Sequence, residues 1–339
     1  MQSGLTLGIE TSCDETAAAV IKNGTEILSN IVLSQINIHQ KYGGVVPEIA
    51  SRKHIEAIFP VIEEALQEAQ ITLEDIEVIA VTYGPGLVGS LLVGIAAAKA
   101  LAFALSKPLV GVNHIEGHIY ANFLNRQDVQ PPFVCLTVSG GHTDLLLIPK
   151  FGEYEIIGRT RDDAAGEAFD KVARVLGLPY PGGPQIERQA KGGNRHAIQF
   201  PRGMLEAGNF DFSFSGLKTA ALNYLNEMKQ KGLAVGVSDF AASFQWAIID
   251  VLTQKLLAAA EKYKVDQLVL SGGVAANSAF REHVQECADE RGLQLFYPPA
   301  HLCTDNAAMI GSAGYFRYLA GKRSDYYLNA LPGLRLGDD

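Results

Sequence analysis

Short apolar runs alternate with polar bends along this chain, and longer amphipathic stretches lie between them. Residues 5–9 are apolar, residues 10–16 (Glu-Thr-Ser-Cys-Asp-Glu-Thr) are polar, and residues 17–21 are apolar again. That pattern predicts a β-hairpin with polar side chains at its bend. Residues 133–148 repeat the plan, with Ser139-Gly140-Gly141-His142-Thr143 as the bend. Two such hairpins predict a duplicated architecture. Between them the pattern gives a helix over 54–69, a strand over 78–82, an apolar stretch over 87–105 and a strand over 109–112. Alternating strands and helices imply an α/β fold. Further on come a Gly-rich charged region (159–202), a long helix (238–263) and a strand (267–270). A Ser-Gly-Gly turn and a helix (277–291) follow, and a polar tail from Lys322 reads as an edge segment.

The 339 residues suit two domains on the usual range of about 100–200 residues each. The division expected is a lobe over 1–130 and a lobe over 131–339, the second with a helical, Gly-rich insertion about 159–240. A net charge of −9 gives no global field for nucleic acid, so any RNA contact needs a local patch. Residues 159–202 offer one, with more Lys and Arg than Asp and Glu, although a solvated surface reads the same way. Cys13, Cys135, Cys287 and Cys303 form no CxxC pair, which fits a reducing compartment. The N-terminus has no basic segment followed by an apolar block, so no leader is expected. The stretch 87–105 contains Ser90 and Lys99 and reads as a buried helix against a sheet, not a membrane span. A cytoplasmic protein without membrane association is the expectation.

His114 and His118 stand four residues apart, on one face of a helix, where two imidazoles can reach one metal ion. Helix-face histidines satisfied by hydrogen bonds would look the same. A zinc peptidase motif places its general base directly after the first His. Here the acid is Glu116, two residues on, about 200° around the helix and away from any metal-bound water. Asp305 precedes an apolar helix, so it is either an N-cap or the carboxylate that completes a His₂-carboxylate site. Ser271-Gly-Gly-Val-Ala-Ala-Asn277 follows a strand and opens a helix, and Ser139-Gly140-Gly141 lies at a hairpin bend. Both can cradle a phosphate with backbone N–H groups, or serve as tight connections. Neither is a Walker A loop or a GxGxxG fingerprint. Asp170 could accept a bond from a ribose hydroxyl.

Ten segments, in order from residue 8 to 306, resemble the TsaD family of tRNA threonylcarbamoyladenosine transferases, once described as glycoproteases. They are GIETSCDET (8–16), GGVVPE (43–48), GPGLVG (84–89), HxxxH (114–118), VSGGHT (138–143), DDAAGEAFDK (162–171), YPGGP (180–184), DFSFSGLK (211–218), SGGVAAN (271–277) and TDN (304–306). The resemblance implies an actin-like ATPase fold, as in heat-shock chaperones and sugar kinases, with two similar lobes flanking a nucleotide and metal cleft. It implies transfer of a threonylcarbamoyl group from threonylcarbamoyl-AMP to the N6 amine of adenosine 37, in tRNAs reading codons that start with A. It makes His114, His118 and Asp305 the ligands of one divalent metal. Iron (Fe2+) is the expected ion, with Zn2+ or Mg2+ as substitutes in preparations. It places Thr137, Val138, Ser139, Gly140, Gly141, Asp170, Gly183, Glu187 and Asn277 at nucleotide and substrate positions, where ATP, ADP or AMP can also sit. Glu187 departs from the family, many of whose members have Asp there. The implied partners are tRNA, a TsaB-like paralogue, a TsaE-like ATPase and an upstream threonylcarbamoyl-AMP synthase.

The chemistry suits these residues. Threonylcarbamoyl-AMP is a mixed anhydride, already activated, so no side-chain nucleophile is required. An exocyclic adenine amine is a poor nucleophile and must be held near the carbonyl while developing charge is stabilised. A metallopeptidase, a small-molecule kinase or O-carbamoyltransferase of the same fold, and a non-enzymatic nucleotide-dependent scaffold are the competing readings.

Overall fold

The computed structural model describes residues 4–126 and 128–338. The outermost residues of the expected lobes, and the first three of the segment inspected for a leader, lie outside this range. The chain divides into two compact units, residues 1–129 with 298–339, and residues 130–297.

In the first unit, β1 (Leu5–Glu10), β2 (Glu15–Lys22) and β3 (Glu26–Ser34) form an antiparallel meander. The first two make the hairpin that the apolar–polar–apolar pattern predicts. A short helix α1 (Ile36–His39) leads to α2 (Pro47–Ala69), which begins well before residue 54 because Pro47 occupies its first turn, where a missing N–H costs nothing. The chain continues through β4 (Val78–Gly84), α3 (Val88–Leu105), β5 (Leu109–Asn113) and α4 (His114–Tyr120). Both strands run parallel to β1, giving the order β3-β2-β1-β4-β5.

The second unit repeats this plan. Strands β6 (Phe133–Val138), β7 (Thr143–Lys150) and β8 (Glu153–Arg159) form its meander. Four helices follow: α5 (Ala165–Val175), α6 (Gly182–Ala190), α7 (Ser215–Gln230) and α8 (Val237–Tyr263). Then come β9 (Gln267–Ser271), α9 (Ser278–Asp289) and β10 (Gln294–Phe296). The sheet order β8-β7-β6-β9-β10 is that of the first sheet with each strand replaced by its counterpart. The duplication read from two hairpins therefore extends to whole sheets.

The remaining helices, α10 (Ala300–Cys303) and α11 (Ala307–Leu319), correct the expected lobe boundary. Residues 298–339 belong to the first unit, not to the lobe expected over 131–339. The physical reason is α11, whose buried Ala307, Ala308, Met309, Ile310, Gly311 and Ala313 pack on β1, β2, β4 and β5 and against α4. The polar tail does run at an edge, where Ser324 bridges Leu109 on β5. A second correction concerns α3. It packs on α2 and β4, but Val88, Leu92 and Phe103 are exposed, so it is covered on one face only. It is the one helix among the described residues with the length and hydropathy of a membrane span.

Asp144 on β7 lies opposite Thr137 on β6 and Arg159 on β8. Burial pushes its carboxyl up to about 6, with Arg159 opposing. The folded protein keeps this proton to higher pH than the unfolded chain, which loses it near the ordinary Asp value of about 3.9. Stability therefore falls as pH rises through that window. Asp144→Asn is expected to raise the unfolding free energy at pH 8 by about 1–2 kcal/mol relative to pH 4, a two-unit shift discounted for partial exposure. Equal differences between variant and wild type at the two pH values in urea titrations would refute this.

Candidate metal centre and nucleotide-binding loops

The first site is built at the carboxyl end of β5. Asn113 ends that strand and caps α4, its side chain accepting from the Ile115 N–H at 2.9 Å. The cap starts a two-turn helix that presents His114 and His118 one turn apart, with ring centroids 4.6 Å apart. Asp305 approaches from the segment before α11. Its Oδ1 lies 3.4 Å from His114 Nε2 and 3.2 Å from His118 Nε2. All three residues offer donor atoms within 4.8 Å of one another. Asp305 is not the N-cap of α11. Asn306 takes that role, accepting from the Met309 N–H at 3.1 Å, which leaves Asp305 to face the imidazoles.

Sequence reasoning assigned no role to Glu10. This fully buried carboxylate, at the end of β1, lies 3.0 Å from His114 Nδ1. It also accepts from Thr82 Oγ1 at 2.6 Å and from the Ser12 N–H. With Nδ1–H donating to Glu10, a metal-bound His114 would present its Nε2 lone pair on the Asp305 side, the usual arrangement behind a metal-bound histidine. The signal was present in the sequence: a charged residue closing a strand buried along its whole length needs a partner.

Two carboxylates, Glu10 and Asp305, face these imidazoles and favour positive charge there. Burial disfavours a charged His114, yet Asp305 and Glu10 hold its pKa well above the usual value. Burial also opposes ionisation of Asp305, but the two imidazoles keep its carboxyl well below the ordinary range. Burial lowers the pKa of His118, which is 1 % exposed and has neither ring nitrogen in a well-formed hydrogen bond. A buried imidazole with no well-formed hydrogen bond, its Nε2 3.2 Å from the Asp305 carboxylate, is compatible with a metal ligand. Glu116 points elsewhere, as its spacing predicts, and is paired with Arg317.

The second site belongs to the other unit. Strands β6 and β9 are parallel neighbours, with Thr137 opposite Ser271 and their hydroxyls 2.7 Å apart. The two glycine bends therefore leave adjacent strand ends. Gly272 has φ +84°, and a Cβ there would stand 2.5 Å from the Val138 carbonyl, so packing and backbone both demand glycine. Gly140, Gly141 and Gly183 differ: none has positive φ, and a Cβ on any of them would meet nothing within 4 Å.

The other expected residues join this region through contacts. The Gly166 N–H in α5 donates to the Ser139 carbonyl at 3.2 Å. Asp170 Oδ1 accepts from the Gly182 N–H at 2.6 Å, fixing the turn that carries Gly183. Asn277 caps α9 by accepting from the Phe280 N–H at 2.9 Å, and donates to Gln245 at 2.8 Å. Glu187 Oε1 accepts from the Ser278 N–H at 2.8 Å and from Ser278 Oγ at 2.6 Å. These side chains hold helix N-termini and bends in place. The basic stretch is partly spent internally: Arg161 pairs with Asp211, Lys171 with Asp163 and Glu167, and Arg202 with Asp250, while Arg195 stacks on Trp246.

A family profile described as TsaD, tRNA N6-adenosine threonylcarbamoyltransferase, matches residues 26–312. The chain belongs to the TsaD family. A relative from Clostridium perfringens (strain SM101 / Type A), bearing that name, is 59% identical over 338 residues, all of this chain and all of the relative. Another from Clostridium botulinum (strain 657 / Type Ba4) is 59% identical over 333 residues, covering 98% of each chain. Among solved structures, T. kodakarensis HypF matches with a TM-score of 0.63 at 16% identity, over 94% of this chain and 48% of that one. The TsaD chain thus spans about half the length of HypF, and that likeness bears on fold alone. The fold is the actin-like ATPase fold, with two similar lobes.

Proposed function

We propose that the chain transfers the threonylcarbamoyl group of threonylcarbamoyl-AMP to the N6 amine of adenosine 37 in tRNAs reading codons that start with A. Membership in the TsaD family carries the reaction class. The cluster of His114, His118 and Asp305 supports a metal-assisted form of it. In the transfer the amine nitrogen bonds the carbamoyl carbon, the carbon–oxygen bond to the phosphate breaks, AMP leaves and the amine loses a proton. No enzyme nucleophile enters.

A divalent ion bound by His114, His118 and Asp305, with Fe2+ the expected species, would supply Lewis acidity and a template for developing charge. Glu10 holds His114 in the tautomer that can bind it. The bends at 137–141 and 271–277 and the turn at Gly183 hold the nucleotide through backbone N–H groups, using the favourable potential of helix N-termini for its phosphate. Asp170, Glu187 and Asn277 shape that surface, and Asp170 and Glu187 are the groups expected to reach ribose or substrate hydroxyls. Peptide hydrolysis lacks support, because its general base would have to be Glu116, which Arg317 holds on another face.

The reaction takes place in the cytoplasm with tRNA, a TsaB-like paralogue, a TsaE-like ATPase and a threonylcarbamoyl-AMP synthase. The test combines the purified chain and these partners with labelled threonine, bicarbonate, ATP and unmodified tRNA. Label is expected in tRNA, lost after chelation and restored by added Fe2+. Absence of label with active partners, or a trapped threonylcarbamoyl-enzyme adduct, would overturn the reading.

A further inference from the structure

We propose that the buried Glu116–Arg317 ion pair positions the donors of the metal centre, an inference that rests on the metal reading of His114, His118 and Asp305. Arg317 Nη1 donates to Glu116 Oε2 at 2.8 Å, with the two side chains only 11% and 2% exposed. Replacing such a pair by apolar groups of similar volume is often neutral or stabilising. Stability alone is then a weak reason for it. What it supplies is orientation.

The donors sit on two elements. His114 and His118 share one face of α4, and Asp305 lies just before α11, fixed there by the Asn306 cap. A helix of two turns has little stability of its own, so tertiary contacts set its orientation. Several contacts tie α4 to α11, among them the Tyr120 and Phe316 rings, whose centroids lie 5.4 Å apart. Gly117 lets the Ile310 and Met309 side chains pack directly against α4, since a Cβ there would stand 2.6 Å from Ile310 Cδ1. Glu116 reaches Arg317 in the last turn of α11. Packing at Gly117 fixes the spacing of the helices, and the ion pair resists rotation of α4 about its axis. Rotation would carry both imidazoles together away from Asp305. Metal–nitrogen bonds near 2.0–2.1 Å tolerate only small errors in that placement.

The full-length protein, stripped with chelator, would be titrated anaerobically with Co2+, reading affinity and the visible spectrum of the bound ion. The variants are Glu116→Gln, Arg317→Lys and the double Glu116→Gln/Arg317→Met, with His118→Leu as control. The double removes both charges together, so it avoids the strong destabilisation of a lone buried charge and decides the matter if Glu116→Gln fails to fold. Co2+ binding by the double is expected to weaken about ten- to a hundredfold, the usual effect of losing a group that orients metal ligands. Its spectrum should shift, its metal-free melting temperature should stay near that of the wild type, and Arg317→Lys should retain most of the affinity. Wild-type affinity and spectrum in the double, with binding lost in His118→Leu, would overturn the positioning role alone. A wild type that binds no Co2+, or a His118→Leu variant that binds like it, would overturn the metal reading and the inference with it.

Discussion

His118→Leu is expected to weaken metal binding about a hundredfold or more, and metal-dependent transfer with it, while leaving the metal-free protein at least as stable as the wild type. The two effects have one cause. Both ring nitrogens of His118 are buried without well-formed hydrogen bonds, and unsatisfied groups of this kind cost about 1–3 kcal/mol each. Leucine fills similar space and removes that penalty. The metal loses one of three protein donors. Tight sites spread about 10–16 kcal/mol over four ligands, so one ligand carries about 3 kcal/mol, or roughly a hundredfold or more in affinity. Metal content and calorimetric stability, measured on chelated and reloaded protein, separate the terms. A metal-free variant several kcal/mol less stable than wild type would show that His118 is a packing residue.

Gly141→Val is expected to weaken adenine-nucleotide binding at least about tenfold without lowering stability. Ordinarily a glycine at a bend is explained by its backbone, and Gly272 is such a case. Gly141 is not. Its φ is not positive and open space surrounds its Cα, so the fold itself accepts a side chain. On the proposed nucleotide reading, phosphate approaches through that space, and a valine there would block it from the backbone N–H groups. Fluorescent ATP or AMP titration and thermal unfolding, run side by side, check it. A large loss of stability with unchanged affinity would make Gly141 a folding residue.

Much of this was legible in the sequence because the periodicities are clean. The hairpin at β1 and β2, the strand leading to α4 and the His114–His118 face follow from local pattern alone. His114, His118 and Asp305 come within 4.8 Å of one another, as the spacing and the resemblance imply. What escaped needed tertiary knowledge. The sequence does not say which sheet the helix after Asn306 covers, and proximity in the chain suggested the wrong unit. The choice between Asp305 and Asn306 as cap turned on one residue of register. The sequence also does not show that Asp170, Asn277 and Glu187 tie helix N-termini and bends together through hydrogen bonds.

The return of residues 298–339 to the first unit has a consequence for biosynthesis. Two metal donors are made early, on α4, but the third comes only after the whole second unit. Domains fold roughly in order as they leave the ribosome. While translation continues, α4 lacks Asp305, the strand ends lack α11 and Glu116 lacks Arg317. The nascent first unit thus exposes a pair of imidazoles that cannot yet hold an ion selectively. On the proposed metal reading, acquisition of the ion waits until Asp305 has been made, after the whole second unit.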